Sequence, residues 1–303
     1  MTTPSLKGLV LRVDAKVCHV EVGGKSLQLP LRGKLFEARS HEKRPLAVGD
    51  LVELDATGRA IAALLPRTSQ LHRRASGEGA PRMQVVAANI THAFVVASVA
   101  EPPFQCELVD SLLAAAARER IAATLLLTKV DLDPARAERL AALYRGIGVD
   151  VVATSTHPDA ETTASLDHLR VLLHENRSVL AGLSGAGKSS LLNRLIPGTK
   201  LRVGSLNHIR QGKHTTSHTE LIPLPGGGHV LDTPGVRSFA LFRVGAQELQ
   251  FLFPEIGALL PQCEYRSCLH VDEGGCAVRR AVDDGAVART RYDSYRHLLS
   301  DAE

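Results

Sequence analysis

The sequence predicts a multidomain chain. An OB-type β-barrel comes first, then an α/β domain with a mostly parallel sheet, then a mainly helical segment that carries cysteines. Three observations lead there. Short alternating strands broken by turns fill residues 5–65, apolar strands alternate with helices from residue 84, and three of the five cysteines fall within residues 263–276. The expected boundaries are 1–70 for the barrel, 71–83 for a basic linker, 84–240 for the α/β domain and 241–303 for the last segment.

In the first segment Leu9-Val10-Leu11-Arg12-Val13, Val17-Cys18-His19-Val20-Glu21-Val22 and Leu27-Gln28-Leu29-Pro30-Leu31 alternate or nearly alternate. Such alternation marks half-buried strands. Gly23-Gly24 supplies a hairpin turn, and Val48-Gly49-Asp50 leads into a further strand at Leu51-Val52-Glu53-Leu54. About five strands in roughly 65 residues suit a small barrel of the OB type. From Pro66 to Pro81 the chain is polar and basic, with Arg67, Arg73, Arg74, Gly77 and Gly79, which reads as a linker. His92–Ser98 then reads as a buried strand, 107–119 as a helix and Ala122–Leu127 as a second strand. A helix over 134–145, a strand over Val149–Ala153, helical spacing at Leu166, Leu169, Leu172 and Leu173, and a strand over Ser178–Ala181 follow. Alternation of this kind implies a mostly parallel sheet covered on both faces.

Bulk properties exclude several classes. With 303 residues, 44% hydrophobic and 22% charged, the chain has the composition of an ordinary soluble globular protein. No window reaches the ~20 apolar residues of a membrane span. Met1-Thr2-Thr3-Pro4, with Lys7, Arg12 and Asp14 close behind, lacks the apolar core of a secretion signal. The cytoplasm is the expected location. Residues 1–82 hold 14 Lys and Arg against 8 Asp and Glu; the whole chain is +4, so the remainder carries −2. A basic N-terminal part suits an RNA partner, and it equally suits a plain solvated surface. Cys18 and Cys106 stand alone, as buried inert thiols do. An odd cysteine count with one tight cluster points to a metal site in a reducing compartment rather than to disulfides.

Five motifs carry chemistry. Gly182-Leu183-Ser184-Gly185-Ala186-Gly187-Lys188-Ser189 fits G-x-x-x-x-G-K-[ST] at every fixed position. In such a loop the backbone N–H groups surround phosphates, Lys188 adds a charge and the Ser189 hydroxyl ligates Mg²⁺. An apolar strand precedes it, and Ser190-Leu191-Leu192-Asn193-Arg194-Leu195 opens a helix whose N-terminus favours anions. The base is chosen elsewhere, by Thr128-Lys129-Val130-Asp131. Guanine offers N1–H and N2–H₂ donors side by side, and the single Asp131 carboxylate can accept both. Adenine lacks that pair and would strand the carboxylate. Lys129 would lay its stem along the ring. The third motif is Asp232-Thr233-Pro234-Gly235, placed to hold Mg²⁺ through water at Asp232 and to sense the γ-phosphate at the Gly235 N–H. Before it lies Gly212-Lys213-His214-Thr215-Thr216-Ser217, a switch-type loop in which Thr216, rather than Thr215, is the expected Mg²⁺ ligand. Finally, Cys263-x₄-Cys268-x-His270-x₅-Cys276 offers three thiolates and an imidazole, the inventory of a closed structural Zn²⁺ site.

Their order is unusual. The guanine-reading motif precedes the phosphate loop, so the α/β domain reads as a circularly permuted P-loop GTPase domain. With the barrel ahead and the Cys/His cluster behind, the sequence closely resembles the RsgA (YjeQ) family of small-ribosomal-subunit biogenesis GTPases. Gly212–Thr216, the cysteine spacing and Arg291-Tyr292-Asp293-Ser294-Tyr295 are the most specific features. The resemblance implies an OB domain, a permuted GTPase domain and a zinc domain acting late in 30S maturation, with turnover stimulated by that subunit. It implies GTP and GDP, the 30S subunit and its rRNA as partners, a monomer, one structural Zn²⁺, and Mg²⁺ with GTP. It assigns Thr128, Lys129 and Asp131 to guanine and Gly182, Ser184, Gly185, Ala186, Gly187, Lys188, Ser189 and Ser190 to phosphates. Zinc falls to Cys263, Cys268, His270 and Cys276, and Ser155 is a looser match for a second backbone contact to the base. Thr128 stands where the general pattern has Asn, which suggests a weaker tether to the base, and Lys213 stands where the family often has Arg.

Where a Ras-like glutamine would follow Gly235, this chain has Val236, which cannot orient water. His214 is then the expected water-positioning residue, against the plain alternative of a surface histidine. Because the chain passes almost directly from Gly235 to the zinc segment, loss of the γ-phosphate is expected to reposition that segment and weaken ribosome binding. Two other functions fit the same residues: a GTP-dependent RNA-binding checkpoint with slow turnover, and a permuted GTPase serving another ribosomal particle.

Overall fold

The computed structural model describes residues 6–30, 46–74, 83–155, 160–196, 219–232, 241 and 244–302. These group into two compact units. The first holds Met1–His92, His168–Leu180 and Ser189–Val236, and the second Ala93–Asp167, Ala181–Lys188 and Arg237–Glu303.

In the first unit the five barrel strands are β1 (Lys7–Val13), β2 (Val17–Val22), β3 (Lys25–Pro30), β4 (Leu51–Leu54) and β5 (Ile61–Leu64). They pair antiparallel in the order β3-β2-β1-β4-β5. Residues of period 2 turn inward, and Val10, Cys18, Val20, Leu29, Leu46, Val52, Leu54 and Ile61 form one apolar cluster. Burial, with Asp50 and Asp14 adding to it, pushes the Cys18 thiol up to about 12, so this cysteine is the inert core residue its isolation suggested. The turn before β4 depends on Gly49. Its φ is +87°, and a Cβ there would lie 2.0 Å from the Ala88 carbonyl oxygen. Beside it the buried Asp50 accepts from the Ala47 N–H at 2.7 Å and from Arg67 Nε at 2.7 Å, so its charge is fully paired.

Residues 70–74, expected inside a basic linker, form strand β6 (Gln70–Arg74) instead, paired antiparallel with β7 (Met83–Ala88). Leu71, only 2% exposed, gives this charged stretch an apolar anchor. The barrel also has a second neighbour. Strands β11 (Arg177–Ala181), β12 (Glu220–Pro223) and β13 (His229–Asp232) continue the sheet in the order β11-β13-β12-β1. Strand β1 meets β12 antiparallel at Arg12 and Glu220, while β13 runs parallel to β11. His229 Nε2 stands 2.7 Å from Glu21 Oε2, a contact between β13 and β2.

The second unit contains β8 (His92–Ser98), β9 (Ala122–Thr128) and β10 (Asp150–Thr154), neighbours in the order β10-β9-β8 with β9 and β10 parallel. Every residue of β8 is buried, as in a strand covered on both faces. Helix α1 (Cys106–Arg118) buries Val109, Leu112, Leu113 and three alanines. Helix α2 (Pro134–Gly146) starts sharply, because Pro134 occupies its first turn and the Asp133 side chain caps the Arg136 N–H. Helix α3 (Ala160–Glu175) and helix α4 (Lys188–Leu195) flank the phosphate loop in sequence.

The last segment is mainly helical, as expected. It comprises α5 (Ala246–Leu249), α6 (Pro254–Gly257), α7 (Ala277–Asp283) and α8 (Arg289–Ser300), with short 3₁₀ turns between. Its core unites Leu249, Phe253, Ile256, Val278, Tyr292 and Tyr295 with Ala114 of α1. A buried ion cluster strengthens that junction. Arg291, 3% exposed, reaches the fully buried Asp110 at 2.6 Å and Glu255 at 2.7 Å, and lies over the Phe253 ring at 4.5 Å. Tyr144 of α2 donates its hydroxyl to the same Asp110 at 2.8 Å. The sequence stretch Arg291–Tyr295 is therefore a packing device that joins the last helix to α1 and α2.

Removing one partner of such a pair leaves the other charge buried and alone. Arg291→Ala should cost about 3–5 kcal/mol of stability in chemical denaturation. Replacing both Arg291 and Asp110 by apolar residues should cost markedly less than the sum of the single changes.

Candidate functional site

Strand β9 ends on Thr128, at the carboxyl edge where parallel sheets bind ligands. Lys129 follows with φ +56°, a left-handed residue that turns the chain into the 3₁₀ turn Val130–Leu132. Asp131 is thereby brought to the surface, exposed, and Ser155 Oγ donates to its Oδ1 at 2.5 Å. Ser155 is itself buried just beyond β10, so the Asp131 carboxylate is held from the next strand. The Lys129 ammonium donates to the Glu101 carbonyl, and the Val99 N–H donates to the Thr128 carbonyl at 3.1 Å. The loop after β8 thus supports this turn, a role that no residue type in that loop announces.

The phosphate loop stands beside it in the same unit. At Gly182, φ is +141°, and a Cβ would meet the Val96 carbonyl oxygen at 2.0 Å. Only glycine fits there. Lys188 Nζ donates to the Gly182 carbonyl at 2.8 Å and the Leu183 carbonyl at 2.6 Å, curling over the loop it serves. Phosphate oxygens entering the loop would compete for these donors with stronger, charge-assisted bonds. Ser184 and Gly185 are exposed and Ala186 is buried. Ser189, half-buried, and Ser190, exposed, occupy the first turn of α4.

Thr128 ties the two loops together. Its Oγ1 donates to the Ala186 carbonyl at 2.7 Å, with the Ala97 carbonyl 3.3 Å away, and its side chain lies 3.7 Å from where a Gly187 Cβ would be. The threonine in the Asn position is therefore a strut between the guanine and phosphate loops, whereas the sequence suggested only a weaker tether to the base. Asp232 ends β13. His214, Thr216 and Gly235 lie outside the described residues.

In the last segment one donor atom from each of Cys263, Cys268, His270 and Cys276 lies within 4.8 Å of the other three. His270 Nδ1 faces the sulfurs, 3.6 Å from Cys263 and 3.4 Å from Cys276. The Ala277 N–H donates to Cys263 Sγ and the Arg279 N–H to Cys276 Sγ, which favours thiolates. Burial pulls the His270 imidazole down, although Glu273 opposes this, and so favours the neutral ligand form. Burial is also the main force pushing the Cys268 thiol up, so a thiolate there calls for a cation beside it. The ligand loop is braced by Glu273, whose carboxylate accepts the N–H groups of Leu269, Val271 and Asp272. Tyr292 and Tyr295 donate their hydroxyls to the His270 and Leu269 carbonyls. The donor set suits a structural Zn²⁺.

A guanine-reading turn and a phosphate loop tied together at one sheet edge, with the turn first in sequence, define a circularly permuted P-loop GTPase. Residues 64–242 match the family described as RsgA GTPase. The chain is 36% identical over 304 residues to a protein of Gemmatimonas aurantiaca named small ribosomal subunit biogenesis GTPase RsgA, covering 98% of this chain and 97% of that one. Its identity to the protein of the same name from Moorella thermoacetica is 37% over 300 residues, with 98% and 97% covered. The fold is similar to YjeQ from Thermotoga maritima, with a TM-score of 0.76 and 30% identity over 98% of both chains. It is similar also to YloQ, described as a circularly permuted GTPase, with a TM-score of 0.72, 29% identity, and 98% and 94% covered. The chain belongs to the RsgA GTPase family.

Thr128→Val keeps the shape but removes the donor, leaving the Ala186 carbonyl unpaired at a cost of about 1–2 kcal/mol. Titration with a fluorescent guanine nucleotide should show affinity falling roughly 5- to 30-fold. Thr128→Ser should stay near the wild-type value.

Proposed function

We propose that this protein hydrolyses GTP in the late maturation of the small (30S) ribosomal subunit, binds that subunit's rRNA and leaves it on hydrolysis. The observation that carries the proposal is the Thr128–Ala186 strut, which joins the Asp131 turn to the phosphate loop in one guanine-nucleotide site. Membership of the RsgA GTPase family, and the names of the relatives, support the ribosomal setting. The working division is barrel 1–70, connecting stretch 71–83, GTPase domain 84–240 and zinc-binding domain 241–303. No described helix is long and apolar enough to cross a membrane, and we propose a cytoplasmic monomer.

In this account Asp131, steadied by Ser155, accepts from N1–H and N2–H₂ of guanine while Lys129 covers the ring. The N–H groups of residues 182–190 and the Lys188 ammonium hold the phosphates. A Mg²⁺ ion bound with GTP would supply charge neutralisation at the phosphates. Ser189 and Thr216 would ligate it, and Asp232 would do so through water. The Gly235 N–H would sense the γ-phosphate, and His214 would orient the attacking water, since Val236 cannot. Charge then develops on oxygens already surrounded by fixed donors, which is where catalysis gains most.

Strand β1 of the barrel is laddered to β12, the strand that follows the switch loop. A change in that loop has a direct backbone route to the barrel, the part with the basic excess. The zinc-bearing segment, held to α1 by Arg291 and Asp110, would respond together with the guanine-reading strands.

Turnover of GTP should rise at least 10-fold with 30S subunits and not with 50S subunits, and ATP should not replace GTP. Activation by both particles equally would favour another ribosomal target, and slow turnover with tight binding to 30S would favour the checkpoint reading. His214→Ala should keep nucleotide affinity but lose about 10²–10⁴-fold in stimulated turnover. Full stimulated turnover in that variant would remove His214 from the mechanism.

A further inference from the structure

Among the ligands of the cysteine cluster, His270 is the one whose chemistry depends on a proton choice. An imidazole binds a metal through a nitrogen that carries no hydrogen, and its other nitrogen must then bear one. Here Nδ1 faces the sulfurs. Nε2 points the opposite way, into the interior, and lies 2.9 Å from Gln250 Oε1. Both residues are fully buried.

The orientation of the Gln250 amide follows from its other neighbour. Gln250 Nε2 lies 2.9 Å from the Gln247 backbone carbonyl, which can only accept. The amide nitrogen must face that carbonyl, so Oε1 must face His270. An amide oxygen can only accept, so His270 Nε2 must carry the hydrogen and Nδ1 presents its lone pair to the sulfurs. Gln247 is anchored in turn, its side-chain nitrogen donating to the Ser267 carbonyl at 2.9 Å within the ligand loop. The chain of bonds thus runs from the ligand loop, through Gln247 and Gln250, to the back of the histidine ring.

We propose that Gln250 is the positioning residue of the metal site: it sets the His270 tautomer and ring angle before the metal arrives. It lies 13 residues ahead of Cys263, in the turn Gln250–Leu252 rather than in the ligand loop, so the cysteine spacing gives no sign of it. The inference rests on the cluster binding zinc. Partners of this kind change metal affinity by about 10–100-fold when removed.

The test uses the full-length zinc-loaded protein and a competing chelator. Gln250→Met, of similar volume and without an acceptor, should lose zinc at a chelator activity about 10–100-fold lower than wild type. Gln250→Glu keeps an acceptor facing His270 but sets its second oxygen against the Gln247 carbonyl, so it should lose some zinc affinity yet clearly less than the Met variant. Equal retention in the Met variant, or equal loss in both variants, would overturn the assignment, the latter showing that packing alone is at stake. A wild-type protein that binds no zinc would instead refute the metal reading itself. Should the Met variant fail to fold, nitrogen-15 correlation spectra of His270 in the wild-type zinc form decide the matter. Protonated Nε2 with metal at Nδ1 supports the proposal, and metal at Nε2 contradicts it.

Discussion

One hydrogen bond holds the nucleotide site together. Thr128 and Ala186 are 58 residues apart, yet the threonine hydroxyl reaches the alanine carbonyl at 2.7 Å. In a permuted chain the guanine turn leaves the sheet well before the phosphate loop is made, so nothing in local sequence holds the two in register. A buried donor–acceptor pair does so, and its carbonyl has no route to water if the donor is lost. The surrounding packing is built to permit this approach. Gly182 lets the loop backbone press on the Val96 carbonyl, and Gly187 takes a φ of +93° that favours glycine. From there the constraints run outward, to Lys129 on the loop after β8 and to Asp131 held by Ser155.

Much of this was legible beforehand. Most strands and helices between residues 92 and 181 were predictable to within one or two residues, because apolar strands alternating with helices leave little ambiguity, whereas β12 (Glu220–Pro223) was not read. The phosphate loop and the Cys/His cluster were readable because their chemistry fixes residue types at fixed spacing. What escaped is instructive. Residues 70–74 are rich in charge and read as a linker, but they pair with β7 and Leu71 is buried there. The Thr128 strut was invisible because its acceptor is a backbone carbonyl, which every residue has. Glu101 escaped for the same reason, and Gln250 because its side chain acts through tertiary proximity alone.

The C-terminal end shows how a short closing motif can serve two masters. Arg291 bridges Asp110 and Glu255, while Tyr292 and Tyr295, on the same helix, pin the carbonyls of His270 and Leu269. Helix α8 therefore connects the metal ligands to α1 through a few buried polar contacts. The desolvation cost of such a cluster offsets much of its attraction, so removing one partner costs more than the pair's net contribution. Any repositioning of the zinc segment on loss of the γ-phosphate would therefore carry α1 with it.

The central claim is that Asp131, lying ahead of the phosphate loop in the chain, reads the guanine base. Exchanging its acceptor for a donor tests this most directly. With Asp131→Asn, the amide N–H₂ can donate to the 2-oxo group of xanthine where the carboxylate accepted the guanine amino group. Nucleotide competition on this variant should show GDP affinity falling by at least 10²-fold and XDP affinity rising above it. Unchanged preference for GDP would contradict the account, because the base would then be read by some other residue.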